Sequence, residues 1–314
     1  MAGKAWIVAL SATGAAAVLL AGGTWAQESA DDAPQYSRSG ADTCLGCHGG
    51  SPEVDDIFHT RHAYRGDPRT PFGKGQLQCE ACHGPGGKHT TRVKRGEARP
   101  PVVQFGRGKV TPIREQNRMC LGCHDSQLGE WHASAHDDRE VACADCHALH
   151  AKHDPVRAKA TQAGVCGTCH QIQKADTLLP FAHPVREGQM GCTSCHTPHG
   201  SMTDASLKGD TVNETCFQCH ADKRGPFLWE HAPATEDCRL CHKPHGSANL
   251  GMLSQRAPFL CQQCHGREGH PSVPGLPASL PGGAPSASLL AGGCVNCHSQ
   301  VHGSNHPSGR RLTR

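Results

Sequence analysis

The sequence predicts a mostly irregular chain with short α-helices, built from small tandem units instead of one apolar core. Three observations favour this fold class. A five-residue motif, Cys-x-x-Cys-His, occurs ten times. Aromatic residues make up only 4% of the chain and mean hydropathy is −0.51, which is too polar for an ordinary core of this size. Gly and Pro, at 37 and 22 residues, favour loops and short helices over a sheet.

The ten motifs account for all 20 cysteines, and we number them first to tenth along the chain. Two thiols at this spacing, followed at once by histidine, are the attachment signature of c-type haem. The thiols bond to the porphyrin vinyl groups, and the histidine binds the iron from one side. We therefore predict ten covalently bound haems c. The attachment cysteines are Cys44, Cys47, Cys79, Cys82, Cys120, Cys123, Cys143, Cys146, Cys166, Cys169, Cys192, Cys195, Cys216, Cys219, Cys238, Cys241, Cys261, Cys264, Cys294 and Cys297. The motif histidines are His48, His83, His124, His147, His170, His196, His220, His242, His265 and His298.

Other uses of paired cysteines do not fit this pattern. Zinc sites need four ligands each and have no histidine fixed after every second cysteine. A thioredoxin-like pair would occur once in a βαβ setting, and a disulfide framework would not repeat one short spacing throughout. The haems are therefore expected to form the core themselves, and the haem-free chain should be largely unfolded.

The N-terminal segment has the pattern of an export signal. Lys4 precedes an apolar stretch, Ala5 to Leu20, and a small-residue cleavage site ends at Ala26. A membrane anchor is the alternative, but the stretch is shorter than the roughly 20 residues of a spanning helix. We expect a signal peptide over residues 1–26 and a periplasmic location, because attachment of this kind of haem follows export.

The formal net charge of +3 does not indicate nucleic-acid binding, because each haem adds two propionates and the loaded protein should be acidic. The residues between Gly84 and Met119 are nevertheless strongly basic, with only Glu97 and Glu115 opposing nine basic side chains. The nine are Lys88, Arg92, Lys94, Arg95, Arg99, Arg107, Lys109, Arg114 and Arg118. Two interpretations stay open: neutralisation of propionates by a solvated loop, and a docking surface for an acidic partner.

Internal repetition divides the chain into five dihaem units, each reading motif, histidine, motif, histidine. The first unit covers 27–118 with the basic segment, and the second covers 119–164. The third covers 165–214, the fourth 215–259 and the fifth 260–314. The fifth contains an uncharged Pro/Gly-rich stretch, Pro271–Gly293, which is typical of an extended loop. Since each unit mainly touches its neighbours, we expect an elongated chain with the haems in file.

The second axial ligand decides what a haem can do, because an open iron face permits substrate chemistry. Only Met119, Met190, Met202 and Met252 follow the N-terminal segment, too few for ten irons. Ten of the 24 histidines belong to the motifs, and ten others recur at fixed places in the units. After the odd-numbered motifs these are His62, His136, His183, His231 and His270. After the even-numbered motifs they are His89, His150, His199, His245 and His302.

These ten histidines are the predicted second ligands. Three of them lie three residues beyond a motif histidine, too near to reach the far face of the same haem, so they should bind a neighbouring haem. Four histidines are left over: His59, His132, His153 and His306. Spacing does not choose between His59 and His62, or between His302 and His306. Closed bis-histidine sites move electrons and bind no substrate, so we expect an electron-transfer protein and not an enzyme.

Four segments beyond the bare motifs are distinctive. They are Gly191–Asp204, Lys223–Pro233, Leu260–His265 and Cys297–Gly309. With them the chain resembles the MtrA/DmsE family of periplasmic, outer-membrane-porin-associated decahaem c-type cytochromes, over essentially all of its length after the signal peptide. The resemblance favours His62 over His59 and His136 over His132.

The resemblance also implies a place in extracellular electron transfer and anaerobic respiration. The cytochrome would be threaded into an outer-membrane β-barrel porin. It would connect a periplasmic or inner-membrane quinol-linked cytochrome with an extracellular multihaem cytochrome, terminal reductase or metal. A soluble periplasmic shuttle or reservoir is the alternative and would use the same ligands. A multihaem reductase would need an open iron, often marked by lysine in place of the motif histidine, and all ten motifs end in histidine.

Overall fold

The computed structural model describes residues 34–266, 294–307 and 309–313. The predicted signal peptide, the Pro271–Gly293 stretch and His270 lie outside these ranges. Within them the chain forms short helices joined by turns, and no extended strand occurs. The predicted fold class, mostly irregular with short helices, is confirmed.

The helices in the described residues are short: α5 has 12 residues, and every other helix has eight or fewer. The α-helices are α1 Ala41–His48, α2 Pro52–Asp55, α3 Glu80–His83, α4 Gly87–Thr90, α5 Ile113–His124, α6 Ala135–Asp138, α7 Cys143–Cys146, α8 Lys159–Cys166, α9 Gln171–Asp176, α10 Val212–Phe217, α11 Ala232–Glu236 and α12 Phe259–Gln262. The 3-10 helices are Asp56–His59, Arg61–Ala63, Asp125–Gln127, Trp131–Ala133, Pro155–Arg157, Cys192–Ser194, Asp204–Ser206, Ala221–Lys223, Cys238–Leu240, Leu250–Met252 and Cys294–Asn296. Side-chain caps fix some of the starts: the Ser134 hydroxyl accepts from the third residue of α6, and the Thr211 hydroxyl from the third of α10.

The protein part of the core is sparse. Buried apolar side chains in the described ranges are Ala41, Phe72, Trp131, Ala142 and Leu312. A chain of this length would ordinarily bury many more aliphatic and aromatic side chains to offset its loss of conformational entropy. The described residues therefore need something besides their own side chains to fill the interior.

Buried amide side chains join the two halves of several predicted units. The Asn117 side chain, in α5, accepts from the Cys143 N–H at 2.8 Å. Asn213, in α10, accepts from the Cys238 N–H, also at 2.8 Å. Gln162, in α8, binds the start of the sixth motif in the same way. These amide clasps hold the start of an even-numbered motif against the helix that carries the preceding odd-numbered one.

Isolated antiparallel bridges connect successive predicted units. Phe181 exchanges backbone hydrogen bonds with Ser247 at 3.1 and 2.8 Å, and Trp229 does so with Ser304 at 2.9 Å in both directions. Each bridge joins the segment just before the first second-ligand histidine of one predicted unit to the segment just after the last second-ligand histidine of the following unit. The bridges are too short to be strands, but they fix how far apart neighbouring units lie.

A glycine directly after a second-ligand histidine permits this close approach. A Cβ on Gly200 (φ 106) would lie 2.5 Å from the Glu130 carbonyl oxygen. A Cβ on Gly246 (φ 147) would overlap the Asp176 carbonyl, and one on Gly303 (φ 130) would overlap an aromatic ring. Positive φ and the lack of space both favour glycine at these positions.

Candidate haem attachment and ligand sites

A helical turn presents the three reactive side chains of each motif. In eight motifs the histidine N–H donates to the carbonyl of the first cysteine at 2.9–3.0 Å. The first and third motifs lie inside α1 and α5, which end at His48 and His124. Because residues three and four apart share a helix face, the two thiols and the imidazole lie on one side of the turn.

The thiols form a continuous series in chain order. The first cysteines of the two motifs in a predicted unit contact each other: Cys44 with Cys79, Cys120 with Cys143, Cys166 with Cys192, Cys216 with Cys238, and Cys261 with Cys294. The second cysteines link one unit to the next: Cys82 lies near Cys123, Cys146 near Cys169, Cys195 near Cys219, and Cys241 near Cys264. Neighbouring motifs are therefore neighbouring sites, although the unit boundaries themselves stay a prediction.

The contacts and burial perturb the free thiols. Burial raises the pKa of Cys79 to about 11, and hydrogen bonding to Cys166 lowers the pKa of Cys192 to about 7. Formation of thioethers would remove both ionisations. The perturbations therefore describe the chain before attachment, and they show how closely the thiols are packed.

One continuous cavity of about 5190 Å³ contains all of these sites. All 20 cysteines and all ten motif histidines line it. Shared among ten motifs, the volume is about 520 Å³ each, within the roughly 300–1,000 Å³ of pockets for drug-sized ligands. Trp131, 5% exposed, also lines it, and its indole N–H has no hydrogen-bond partner. An orphaned donor on a large thiol-lined cavity fits a ligand with acceptors, as haem propionates are.

Nine histidine pairs face one another across this cavity, each with ring centres 6.0–6.3 Å apart. Each pair has one motif histidine and one predicted second ligand. The pairs are His48 with His89, His62 with His124, His83 with His150, His136 with His170, His147 with His199, His183 with His220, His196 with His245, His231 with His265 and His242 with His302. Two metal–imidazole bonds of about 2 Å, with about 1 Å from each nitrogen to its ring centre, require about 6 Å. The spacing thus fits a metal between the rings.

The pairing crosses the predicted units in two directions. A histidine that follows an odd-numbered motif faces the next odd-numbered motif, as His136 faces His170. A histidine that follows an even-numbered motif faces the preceding even-numbered one, as His245 faces His196. The first unit differs, since His89 faces His48 within the unit. The three-residue spacing after a motif histidine predicted that these histidines bind a neighbouring haem, but it did not predict whether that haem belongs to the preceding or the following unit.

Hydrogen bonds at Nδ1 orient many of these rings. Because a carbonyl can only accept, the bond places the proton on Nδ1 and leaves the Nε2 lone pair for a metal. Motif histidines held in this way are His83 by Val103, His196 by Ala205, His242 by Gly251 and His298 by Arg311, at 2.6–2.8 Å. Among the second ligands, His89, His136, His150, His183 and His231 are held at 2.7–2.9 Å. His147 instead donates to the Asp154 carboxylate.

Burial favours the neutral form of five of the imidazole rings that line the cavity. Desolvation is the main cause that lowers the pKa of the imidazoles concerned. They are His62, His83, His199, His245 and His302. A neutral imidazole is the form that binds a metal.

The left-over histidines lie elsewhere. His132 is exposed and its Nε2 lies 3.1 Å from Oδ1 of Asp125, and the cavity lining does not include it. In the described part of the chain, His59, His153 and His306 are also outside that lining and belong to none of the nine pairs. The structure thus brings His62, and not His59, opposite His124. It likewise places His302 opposite His242, while the His306 N–H donates to the Ser304 hydroxyl.

Part of the basic segment has local partners. Arg99 donates to the carbonyls of His89 and Thr91 at 2.7 Å, and Arg107 pairs with Asp145 at 2.9 Å. Both arginines also line the cavity. These two side chains favour the first interpretation of the segment, in which it neutralises propionates. Three other basic side chains of the segment, Arg92, Lys94 and Arg95, are exposed.

Sequence reasoning missed three groups of residues: the amide clasps, Trp131 and Asp154. One signal was available for the clasps, since an Asn or Gln precedes the third, fifth and seventh motifs by three or four residues. The other two depend on contacts that no local pattern reveals.

Comparison with known proteins agrees with this geometry. A family defined by a doubled CXXCH motif matches residues 183–225 and 231–270, and a cytochrome c-type protein NrfB-like family matches 79–164. Among individual relatives, cytochrome c-type protein NrfB of Escherichia coli O6:H1 is 29% identical over 175 residues, 53% of this chain and 86% of that protein. NrfB of Haemophilus influenzae is 30% identical over 122 residues, 37% of this chain and 53% of that protein.

A longer match covers nearly the whole chain. Multiheme cytochrome MtrA of Shewanella baltica is 49% identical over 282 residues, 89% of this chain and 83% of that protein. No helix in the described residues is long and apolar enough to pass through a bilayer. The thiol series, the continuous cavity lined by all ten motifs and this similarity together show that the chain belongs to the MtrA family of multihaem c-type cytochromes, electron-transfer proteins with covalently attached haem c.

Proposed function

We propose that this chain holds ten haems c, each between two histidines, and conducts electrons across the outer membrane inside a porin sheath. The observation that supports it best is the set of nine facing imidazole pairs along one continuous cavity. The haem supplies reversible one-electron chemistry at its iron. The paired histidines would hold the iron from both sides and exclude substrates, so that only its oxidation state would change.

The ligand set consists of the nine facing pairs and one further pair. The tenth motif histidine is His298, and the predicted ligand not used elsewhere is His270. Alternation supports this assignment. In the first unit His89 faces His48 within the same unit, and a pair of His270 with His298 would repeat that arrangement in the fifth unit.

The proposed location is the periplasm, in association with an outer-membrane β-barrel porin. The identity with MtrA supports this placement. Physical chemistry supports a sheath, because a mostly irregular backbone would leave unpaired N–H and C=O groups in lipid, at several kcal/mol each. The electron partners proposed are a periplasmic or inner-membrane quinol-linked cytochrome on one side. On the other side we propose an extracellular multihaem cytochrome, terminal reductase or metal.

Reconstitution tests the conduit. The chain, co-purified with its porin in detergent, is inserted into liposomes that contain reduced methyl viologen, and a ferric chelate is added outside. We expect rapid oxidation of the trapped dye only when chain and porin are both present. Porin alone and chain alone are the matched controls.

A different result would favour the soluble shuttle. In that case salt washing would release the chain from membranes. The trapped dye would also be oxidised no faster by liposomes with chain and porin than by liposomes with porin alone. The same ligands would then serve diffusive transfer between periplasmic partners.

A further inference from the structure

The acceptor at Nδ1 distinguishes the fourth motif from the other even-numbered motifs. In the second, sixth, eighth and tenth motifs the histidine donates to a neutral backbone carbonyl. In the fourth motif His147 donates to Oδ2 of Asp154 at 2.7 Å. The chain thus contains one charged variant beside four neutral ones of the same contact.

Asp154 is held firmly in this position. Its other oxygen accepts from the N–H groups of Ala148 at 3.3 Å and Val156 at 3.4 Å, and it caps the 3-10 helix Pro155–Arg157. The Asp154 side chain is 15% exposed, and that of His147 is 32% exposed. In the described ranges no lysine or arginine forms an ion pair with this carboxylate. Its charge therefore acts mainly on the imidazole.

A carboxylate at Nδ1 makes the opposite nitrogen a stronger donor. It draws the Nδ1 proton toward itself, so the ring gains electron density and becomes more basic. An electron-rich ligand and a nearby negative charge both stabilise ferric over ferrous iron. A carbonyl acceptor orients the ring without adding that charge.

We propose that Asp154 is a positioning residue that lowers the reduction potential of the haem attached at Cys143 and Cys146. The proposal rests on the proposed ligation of that haem by His147 and His199. Reduction adds one electron from the adjacent ferrous site, which becomes ferric, and the Nδ1 proton stays in its hydrogen bond. An electron passing along the file then meets an uphill step where the second predicted unit joins the third.

The test compares the total reduction curves of the fully loaded protein and its variants by spectroelectrochemistry. The area between two such curves, in electrons per chain times millivolts, equals the summed shift of all sites, whatever their interactions. Asp154→Asn keeps an oxygen acceptor but removes the charge. We expect at least a tenfold shift toward ferrous iron at one site, which is about 59 mV for one electron. Asp154→Glu, which restores the charge, should give less than half of that area.

Asp237→Asn is the matched control. Asp237 lines the same cavity beside the eighth motif but binds Arg239 at 2.7 Å and no imidazole. The area between the reduction curves of Asp237→Asn and the unmodified protein should therefore be less than half of that expected for Asp154→Asn. The proposal is overturned if the area for Asp154→Asn is below half of the expected value of about 59 mV. It is also overturned if the area for Asp237→Asn equals that for Asp154→Asn. If Asp154→Asn carries fewer than ten haems, Asp154→Ser is measured, and incomplete loading of both variants also overturns it.

Spectra of the same samples separate this proposal from the ligation it rests on. If Asp154→Asn produces no shift while the low-spin bis-histidine EPR signals are intact, only the role of Asp154 is wrong. High-spin ferric iron in the unmodified protein would instead contradict the proposed ligation itself.

Discussion

His59 and His62 lie three positions apart in the sequence, and we expect their removal to have different effects. His62 is half-buried, and its ring centre lies 6.0 Å from that of His124. His59 is exposed and lies outside the cavity lining. His62→Ala should therefore open one face of the haem at Cys120 and Cys123. His59→Ala should change no ligand.

The size of the effect follows from the count of sites. One open iron among ten should convert about one tenth of the ferric haem to the high-spin form, and the reduced protein should bind about one CO per chain. The unmodified protein and His59→Ala should bind none. The cysteines are unchanged, so ten haems should still be attached in both variants.

The assay is CO titration of the dithionite-reduced protein, with haem counted as the pyridine haemochrome and spin state read by EPR. Added imidazole should enter the space left by His62→Ala and restore the low-spin signal, which a misfolded variant would not show. CO binding by His59→Ala, with none by His62→Ala, would refute the assignment.

Three further predictions concern stability. Asn213→Ala leaves the Cys238 N–H without its 2.8 Å acceptor and should lower the free energy of unfolding by about 1–3 kcal/mol, measured by chemical denaturation of the loaded protein. Gly246 has φ 147, and Gly246→Ala places a Cβ against the Asp176 carbonyl, so this variant should have a lower Tm. Gly164→Ala is the control, because a Cβ at this position in α8 meets open space and should not lower Tm. An equal fall in Tm for both variants would refute the close-approach argument. The haem-free chain should show little helical circular dichroism and no cooperative melting, since its described part buries only five apolar side chains.

The local chemistry of the sites could be predicted because it is encoded locally. Five consecutive residues fix where a haem attaches, and low apolar content together with many Gly and Pro indicates a fold of short turns. Recurrence at fixed offsets was enough to select His150, His199 and His245 as ligand candidates. Each of these rings lies opposite a motif histidine of another predicted unit.

The pairing itself could not be read from the sequence. His150 lies three residues from His147, yet it faces His83 and donates to the carbonyl of Glu53, 97 positions away. Such contacts depend on how distant segments of the chain pack together, which no local sequence pattern records. The choice between His59 and His62 is of the same kind. Both satisfy the spacing, and only the fold brings one of them to an imidazole partner.

The two directions of pairing make each interior unit depend on both neighbours. In the predicted third unit, His183 reaches forward to His220 and His199 reaches back to His147. The Nδ1 bond of His183 to the Pro244 carbonyl lies next to His245, which reaches back into the third unit. Ligand and orienting contact thus come from opposite sides of one junction. Because neighbouring units interact most strongly in such arrays, a ligand lost at one junction should weaken the adjacent units and leave distant ones intact.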